Sequence, residues 1–169
     1  RHLATKGDQV AILWEPNDPD QEAKKITYSA LHAEVCKTAN ALKANGVQKG
    51  DRVCFYMPMV PELAIAVLAC ARIGAIHSVV FAGFSAQALA DRVNDATCKM
   101  IICSDYNNRG AKHIPVKKVV DDAMALGCPS IETILVHQNT GNEVTMVEGR
   151  DKWWHDEVDG QSPDCPAEQ

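Results

Sequence analysis

Residues 53–81 read VCFYMPMVPELAIAVLACARIGAIHSVVF. An apolar run, Val53 to Met57, gives way to Pro58-Met59-Val60-Pro61, and Pro61 opens a second apolar stretch that closes at Gly74. Proline in the first turn and glycine just past the end mark a helix, because the first turn leaves N–H groups free and glycine tolerates a left-handed exit. A third apolar run, Ala75 to Phe81, follows at once. The reading is strand, helix, strand. Neither strand alternates cleanly between apolar and polar residues, which fits strands covered on both faces, as in a parallel sheet. The helix segment Leu63 to Ala71 is apolar on every side and needs cover on most faces, more than this chain alone supplies.

The same rhythm continues outward. On the N-terminal side, Val10 to Trp14 reads as a short strand, and Glu15 to Lys25, polar with two prolines, reads as a surface loop. Thr27 suits an N-cap; Leu31, Val35, Ala39 and Leu42 then recur at helical spacing until Gly46. On the C-terminal side, Ser85 caps a helix to about Asp95, Lys99 to Ser104 is a strand, and Asp105 to His113 is a polar loop. Pro115 starts a helix to Leu126, closed by Gly127, and Glu132 to His137 is a strand. A turn over Asn139 to Asn142 leads to a brief strand, Glu143 to Val147, and Asp151 to Val158 reads as a short helix. Strand and helix thus alternate four times, which predicts an α/β fold with a mostly parallel sheet flanked by helices. Residues 1–158 form this unit, and 159–169, with Pro163 and Pro166, reads as a linker.

Bulk properties bound the function. The chain has 169 residues and a net charge of −5, which argues against a nucleic-acid partner held by charge neutralisation. Seven cysteines, an odd count with no CxxC, read as free buried thiols of a reducing cytosol rather than a disulfide framework or zinc site. No apolar stretch reaches the ~20 residues needed to span a bilayer. Arg1 to Ala4 is not followed by the apolar core of a signal peptide, and the absence of an initial Met reads as a piece of a longer chain. A cytoplasmic protein with no membrane partner is expected.

In open parallel sheets ligands bind beyond the carboxyl ends of the strands. Three loops qualify: Pro58 to Pro61, Phe81 to Ser85 and Asp105 to His113. The last holds Arg109-Gly110-Ala111-Lys112, a planar fork and a point charge flanking small residues, beside the positive end of the following helix. These residues can hold a phosphate monoester or be a solvated basic turn. Phe81-Ala82-Gly83 offers an aromatic face and bare backbone for a flat ring or an extended thiol arm, or is a tight connection. Asp121-Asp122 reads as solvated surface, and Trp153-Trp154 as a packing anchor. No GxGxxG, GxxxxGK[ST] or GxSxG occurs.

Three stretches carry a family resemblance: Met57 to Ala75, Ile76 to Ser85, and Arg109 to Lys118 with Asp151-Lys152-Trp153-Trp154. They resemble the acetyl-CoA synthetases, AMP-forming acetate–CoA ligases of the adenylate-forming superfamily, and Thr27 to Leu42 resembles adenylate-forming enzymes more widely. The resemblance implies a piece of the large N-terminal domain of such an enzyme. That family joins acetate and Mg-ATP to acetyl-adenylate, which CoA then attacks to give acetyl-CoA and AMP. It also implies that Arg109 and Lys112 contact the CoA nucleotide phosphate, and that Phe81, Ala82 and Gly83 line the CoA site. Lys112 stands where the family commonly has arginine, and Ala82 where it has glycine. The family's phosphate loop, acetate pocket and catalytic lysine have no counterpart in these residues. The resemblance therefore implies a fragment inactive alone, with residues 159–169 leading toward the phosphate loop, no catalytic residue and no metal site of its own.

The expected partners are CoA, acetate, ATP and the rest of the same polypeptide, with self-association through apolar faces left uncovered. Alternative readings are a propionyl- or other short-acyl-CoA synthetase, a stand-alone doubly wound nucleotide-binding module, and an interaction domain using the Pro61–Gly74 helix.

Overall fold

A computed structural model describes residues 3–169. Arg1 and His2, the start of the stretch tested above for a signal peptide, lie outside the described residues. The elements run α1 (Leu3–Lys6), β1 (Val10–Trp14), β2 (Lys24–Thr27), α2 (Tyr28–Ala44), β3 (Arg52–Tyr56), α3 (Pro61–Arg72), β4 (Ile76–Val79), α4 (Ala86–Ala96) and β5 (Met100–Ser104). They continue with β6 (Asn107–Arg109), β7 (Lys112–Ile114), α5 (Val116–Ala125), β8 (Thr133–His137), β9 (Asp151–Trp153) and α6 (Trp154–Val158).

Five strands make one sheet in the order β4-β3-β5-β8-β9, and every neighbouring pair is parallel. The expected α/β fold with a parallel sheet is therefore present. Alternate strand residues divide between two cores. Val53, Phe55, Met100, Ile102 and Leu135 pack with α2 and α3, whereas Cys54, Tyr56, Ile101, Cys103, Ile134 and Val136 pack with α4 and α5. Both sets face side chains rather than water, which explains why the strands show no polar alternation. All seven cysteines are free and buried, as expected from their apolar neighbours.

The caps foreseen from sequence form. Thr27 Oγ1 accepts from Ala30 N at 3.2 Å and Ser85 Oγ from Ala88 N at 3.3 Å, each a type of bond that stabilises a helix start by about 1 kcal/mol. The α3 helix is covered on one side by α2 and the sheet, but Leu68 keeps 44% of its surface exposed.

Several readings need correction: the stretch Asp151 to Val158, expected as a helix, begins as strand β9 before α6, and Lys24 and Lys25 of the expected loop belong to β2. Asp105 to His113 is no plain loop: β6 and β7 form an antiparallel hairpin with Arg109 opposite Lys112. A two-residue loop closes it, with Gly110 at φ +58 in the first central position, where a positive φ is required. The expected strand Glu143 to Val147 does not form, and the fifth strand is β9. The backbone there bonds side chains instead of a ladder, since Thr145 O accepts from Lys117 Nζ (2.9 Å) and Val147 N donates to Asp151 Oδ2 (2.9 Å). Asp121 is not solvated surface: it bonds Lys117 Nζ at 2.7 Å and Arg150 at 2.7 Å, whereas Asp122 pairs with exposed Lys118.

The tail after α6 is packed rather than free. Asn40 Nδ2 donates to the carbonyls of Ser162 (2.9 Å) and Asp164 (3.0 Å), Arg72 Nε donates to Cys165 O, and Cys165 is fully buried.

Candidate functional site

Because β3, β4 and β5 are parallel, the loops that follow them open on one edge of the sheet. A cleft of about 860 Å³ lies there. Its walls come from the β3–α3 loop (Pro58, Met59), the β4–α4 loop (Phe81, Ala82, Gly83), the β6 strand (Asn107, Asn108, Arg109) and the turn Asn139-Thr140. Trp14 and Asn17, from β1 and the segment after it, complete the rim. One end is apolar, around Trp14, Met57, Leu63 and Val79; the amide and guanidinium groups gather at the hairpin.

Each wall has an identifiable support. Trp14 Nε1 donates to Met59 O at 2.8 Å, tying the N-terminal hairpin to the β3–α3 loop. Tyr56 Oη donates to Phe84 O at 2.7 Å from beneath, and burial pushes the phenol above its ordinary pKa, so it stays a donor. Phe81 is 59% exposed and meets Phe84 edge to face, with ring centroids 5.8 Å apart. A Cβ on Gly83 would lie 2.5 Å from Phe81 Cε1, so only glycine lets the ring fold back over this backbone. Ala82 is 6% exposed, and its methyl belongs to the second core rather than projecting far into the cleft.

Asp105, fully buried at the end of β5, shapes the floor. Its carboxylate accepts from the backbone N–H groups of Tyr106 (2.6 Å), Asn139 (2.9 Å), Thr140 (3.0 Å) and Gly141 (2.8 Å), and from Thr140 Oγ1 (3.1 Å). A ring of backbone donors of this kind is a ready anion site, and here the protein's own carboxylate fills it. The second amide of α5 is likewise engaged, because Lys117 N donates to Asp105 O at 3.0 Å.

Arg109 is the one cation lining the cleft among the described residues; the carboxylates Glu15 and Asp18 line it too, but neither forms an ion pair with Arg109 or Lys112. Both are exposed on the hairpin; Lys112 faces Arg109 in register but does not line the cleft itself. Of the five residues picked from sequence, Phe81, Ala82, Gly83 and Arg109 converge on the cleft, and Lys112 stands beside Arg109. Sequence reasoning missed Trp14, Asn17, Asp105, Asn139 and Thr140. Only the turn residues of Asn139 to Asn142 carried a local signal, and it marked a bend rather than a role.

Beside this edge His137, at the end of β8, places Nε2 3.6 Å from Glu62 Oε2 and packs edge to face on Trp154. Burial holds its pKa below the usual histidine value, against the opposing pull of Glu62. No group of three or more histidine, cysteine, aspartate or glutamate side chains among the described residues is arranged to hold a metal ion.

The chain is 55% identical to acetyl-coenzyme A synthetase 2 of Pseudomonas putida over 168 residues, which is 99% of this chain and 26% of that protein. It is 54% identical to acetyl-coenzyme A synthetase of Novosphingobium aromaticivorans, across 100% of this chain and 26% of that protein. A protein of the same name from Nostoc linckia is 54% identical over 95% of this chain and 47% of its own length. The chain thus spans between about a quarter and a half of these curated relatives. The solved acetoacetyl-CoA synthetase from Streptomyces lividans superposes with a TM-score of 0.87 at 24% identity, over 100% of this chain and 25% of that one, and shares the fold. The pattern of the AMP-binding enzymes matches residues 1–168, and the chain belongs to that family.

Proposed function

We propose that this chain forms the CoA-facing part of an AMP-forming acetate–CoA ligase. The complete enzyme converts acetate, Mg-ATP and CoA to acetyl-CoA, AMP and pyrophosphate through an acetyl-adenylate. Residues 1–158 supply an α/β unit of the large N-terminal domain, and 159–169 lead toward the segment that handles the ATP phosphates. Arg109 and Lys112 take the nucleotide phosphate of CoA, and Phe81, Ala82 and Gly83 line the path of its extended arm. The choice of acetate follows the names of the relatives, three of which are acetyl-coenzyme A synthetases at 54–55% identity.

One observation carries the reading. At the carboxyl edge of a parallel sheet, where ligands of such folds bind, a cleft with one apolar wall ends at Arg109, which forms no ion pair among the described residues although Glu15 and Asp18 line the same cleft. CoA has the matching polarity, a long thin arm with a phosphorylated nucleotide at one end. Arginine's planar fork suits phosphate oxygens, and the lysine beside it adds a point charge. Catalytic power lies elsewhere in the polypeptide, so this chain alone gives no acetate-dependent pyrophosphate exchange. Its uncovered apolar residues, Leu68 of α3 and Ile76 and Val79 of β4, favour self-association when the chain is studied by itself.

Titration calorimetry tests the site. The chain is expected to bind CoA more tightly than dephospho-CoA, and the double variant Arg109→Ala, Lys112→Ala is expected to lose that preference. Equal binding of both ligands by the unaltered chain removes the phosphate role from the hairpin.

A further inference from the structure

The hairpin that carries Arg109 and Lys112 is short, exposed and only three residue pairs long. Its tip residue, Gly110, has open space around its Cα. A two-stranded hairpin of this size has little intrinsic stability. One side chain nevertheless grips the tip. Asn17 Oδ1 accepts from Gly110 N at 2.7 Å, and Asn17 Nδ2 donates to Gly110 O at 3.2 Å. Both backbone groups of a single residue are held by one planar amide. A carboxamide suits this pairing, because it carries an acceptor oxygen and a donor nitrogen side by side in one plane. The two bonds also fix the amide's orientation, since the oxygen must face the N–H. Gly110 follows Arg109 directly, so fixing its peptide groups fixes the direction in which the arginine leaves the backbone. The same segment secures the opposite wall, where Trp14 Nε1 holds Met59 O.

We propose that Asn17 is a positioning residue for the phosphate-binding cation of the cleft. It holds the Gly110 peptide so that Arg109 points into the cleft before CoA arrives. This rests on the reading that the hairpin takes the CoA nucleotide phosphate. Preorganisation of this kind raises affinity by lowering the cost of ordering on binding. It acts on the phosphate contact alone and leaves the rest of the ligand's contacts as they were.

The experiment compares CoA with dephospho-CoA in titrations of the unaltered chain, Asn17→Ala and Arg109→Ala, with amide hydrogen exchange at Gly110 followed by NMR. The unaltered chain should prefer CoA by about tenfold, the scale of one charge-assisted contact. Arg109→Ala should bring the preference close to one. Asn17→Ala should lower that preference by roughly threefold or more, and exchange at Gly110 should speed up. A general loss of structure would weaken both ligands together and would contradict a positioning role. If Asn17→Ala keeps the full preference while Arg109→Ala loses it, the inference fails and the phosphate reading stands. If the unaltered chain shows no preference or no binding, or Arg109→Ala keeps the preference, the phosphate reading fails and the inference falls with it.

Discussion

Two pairs of cations sit at opposite extremes of this molecule. Lys117 is 1% exposed and Arg150 lies against the same two carboxylates; Lys117 Nζ bonds Asp121 and Asp151 (2.8 Å), and Arg150 bonds Asp151 (2.6 Å) and Asp121 (2.7 Å). Two positive charges meet two negative ones, and Lys117 Nζ also donates to Thr145 O. Arg109 and Lys112 are exposed and meet no carboxylate among the described residues. A charge taken out of water has to be neutralised within the protein. A charge left in water at a cleft remains free for an incoming phosphate. The difference separates cations engaged in holding the fold from cations left free in solvent.

The sharpest way to break this contrast is to remove a buried cation. Lys117→Met leaves Asp151, whose side chain has no exposed surface, short of a partner. Denaturant unfolding should show a loss of about 3–5 kcal/mol. A change within about 0.5 kcal/mol would mean the cluster is not structural.

Acid should act through the same cluster. Burial alone would raise the Asp151 pKa, but hydrogen bonds from Arg150, Lys117 and the Val147 amide hold it below the ordinary carboxylate value. The folded group then protonates at lower pH than the unfolded one. Its stabilisation is present above the unfolded carboxylate pKa, about 4, and is lost as pH falls through the folded value. Asp151→Asn should flatten that acid loss. His137 gives a second, higher window. Its folded pKa is lowered by burial, so the unfolded chain takes up a proton first as pH drops below about 6.5. Thermal midpoints should fall between pH 7 and 5, and His137→Gln should reduce that fall.

A third test concerns a buried polar group without a partner. Thr38 Oγ1 is buried in α2 with no hydrogen-bond partner. Thr38→Val keeps the shape and removes the hydroxyl, and should stabilise the chain by about 1 kcal/mol in denaturant unfolding. A smaller stability effect is expected at Gly83. The nearest atoms to a new Cβ belong to the exposed Phe81 ring, which can swing away. Gly83→Ala should cost less than about 1 kcal/mol yet weaken CoA binding, because the ring is itself a cleft wall.

The sequence disclosed the sheet and its order of elements because burial on both faces leaves a strong mark. Runs such as Val53 to Met57 and Lys99 to Ser104 carry almost no polar residue at the strand positions, and Pro61, Gly74, Thr27 and Ser85 punctuate the helices between them. The polar elements were much less visible. The Asn107–Ile114 hairpin is polar and too short for a period to show, and β9 begins with Asp151 and Lys152. Glu143 to Val147 looked like a strand, but its backbone bonds the Lys117–Asp151 cluster. Arg109 and Phe81 of the cleft were picked out through the resemblance. The supports were not: Asn17 bonds a residue 93 positions away and Trp14 one 45 positions away. Contacts that cross between distant loops leave no local pattern to read.

On the proposed function, Arg109 and Lys112 serve a ligand and not the fold. The direct measurement is denaturant unfolding of the Arg109→Ala, Lys112→Ala chain with and without saturating CoA. Without ligand, the midpoint should match the unaltered chain within about 0.5 kcal/mol, as for exposed unpaired charges. With CoA, the unaltered chain should gain stability by ligand linkage and the double variant should gain much less. A variant that is destabilised without ligand, or that keeps the full gain with it, would contradict the account.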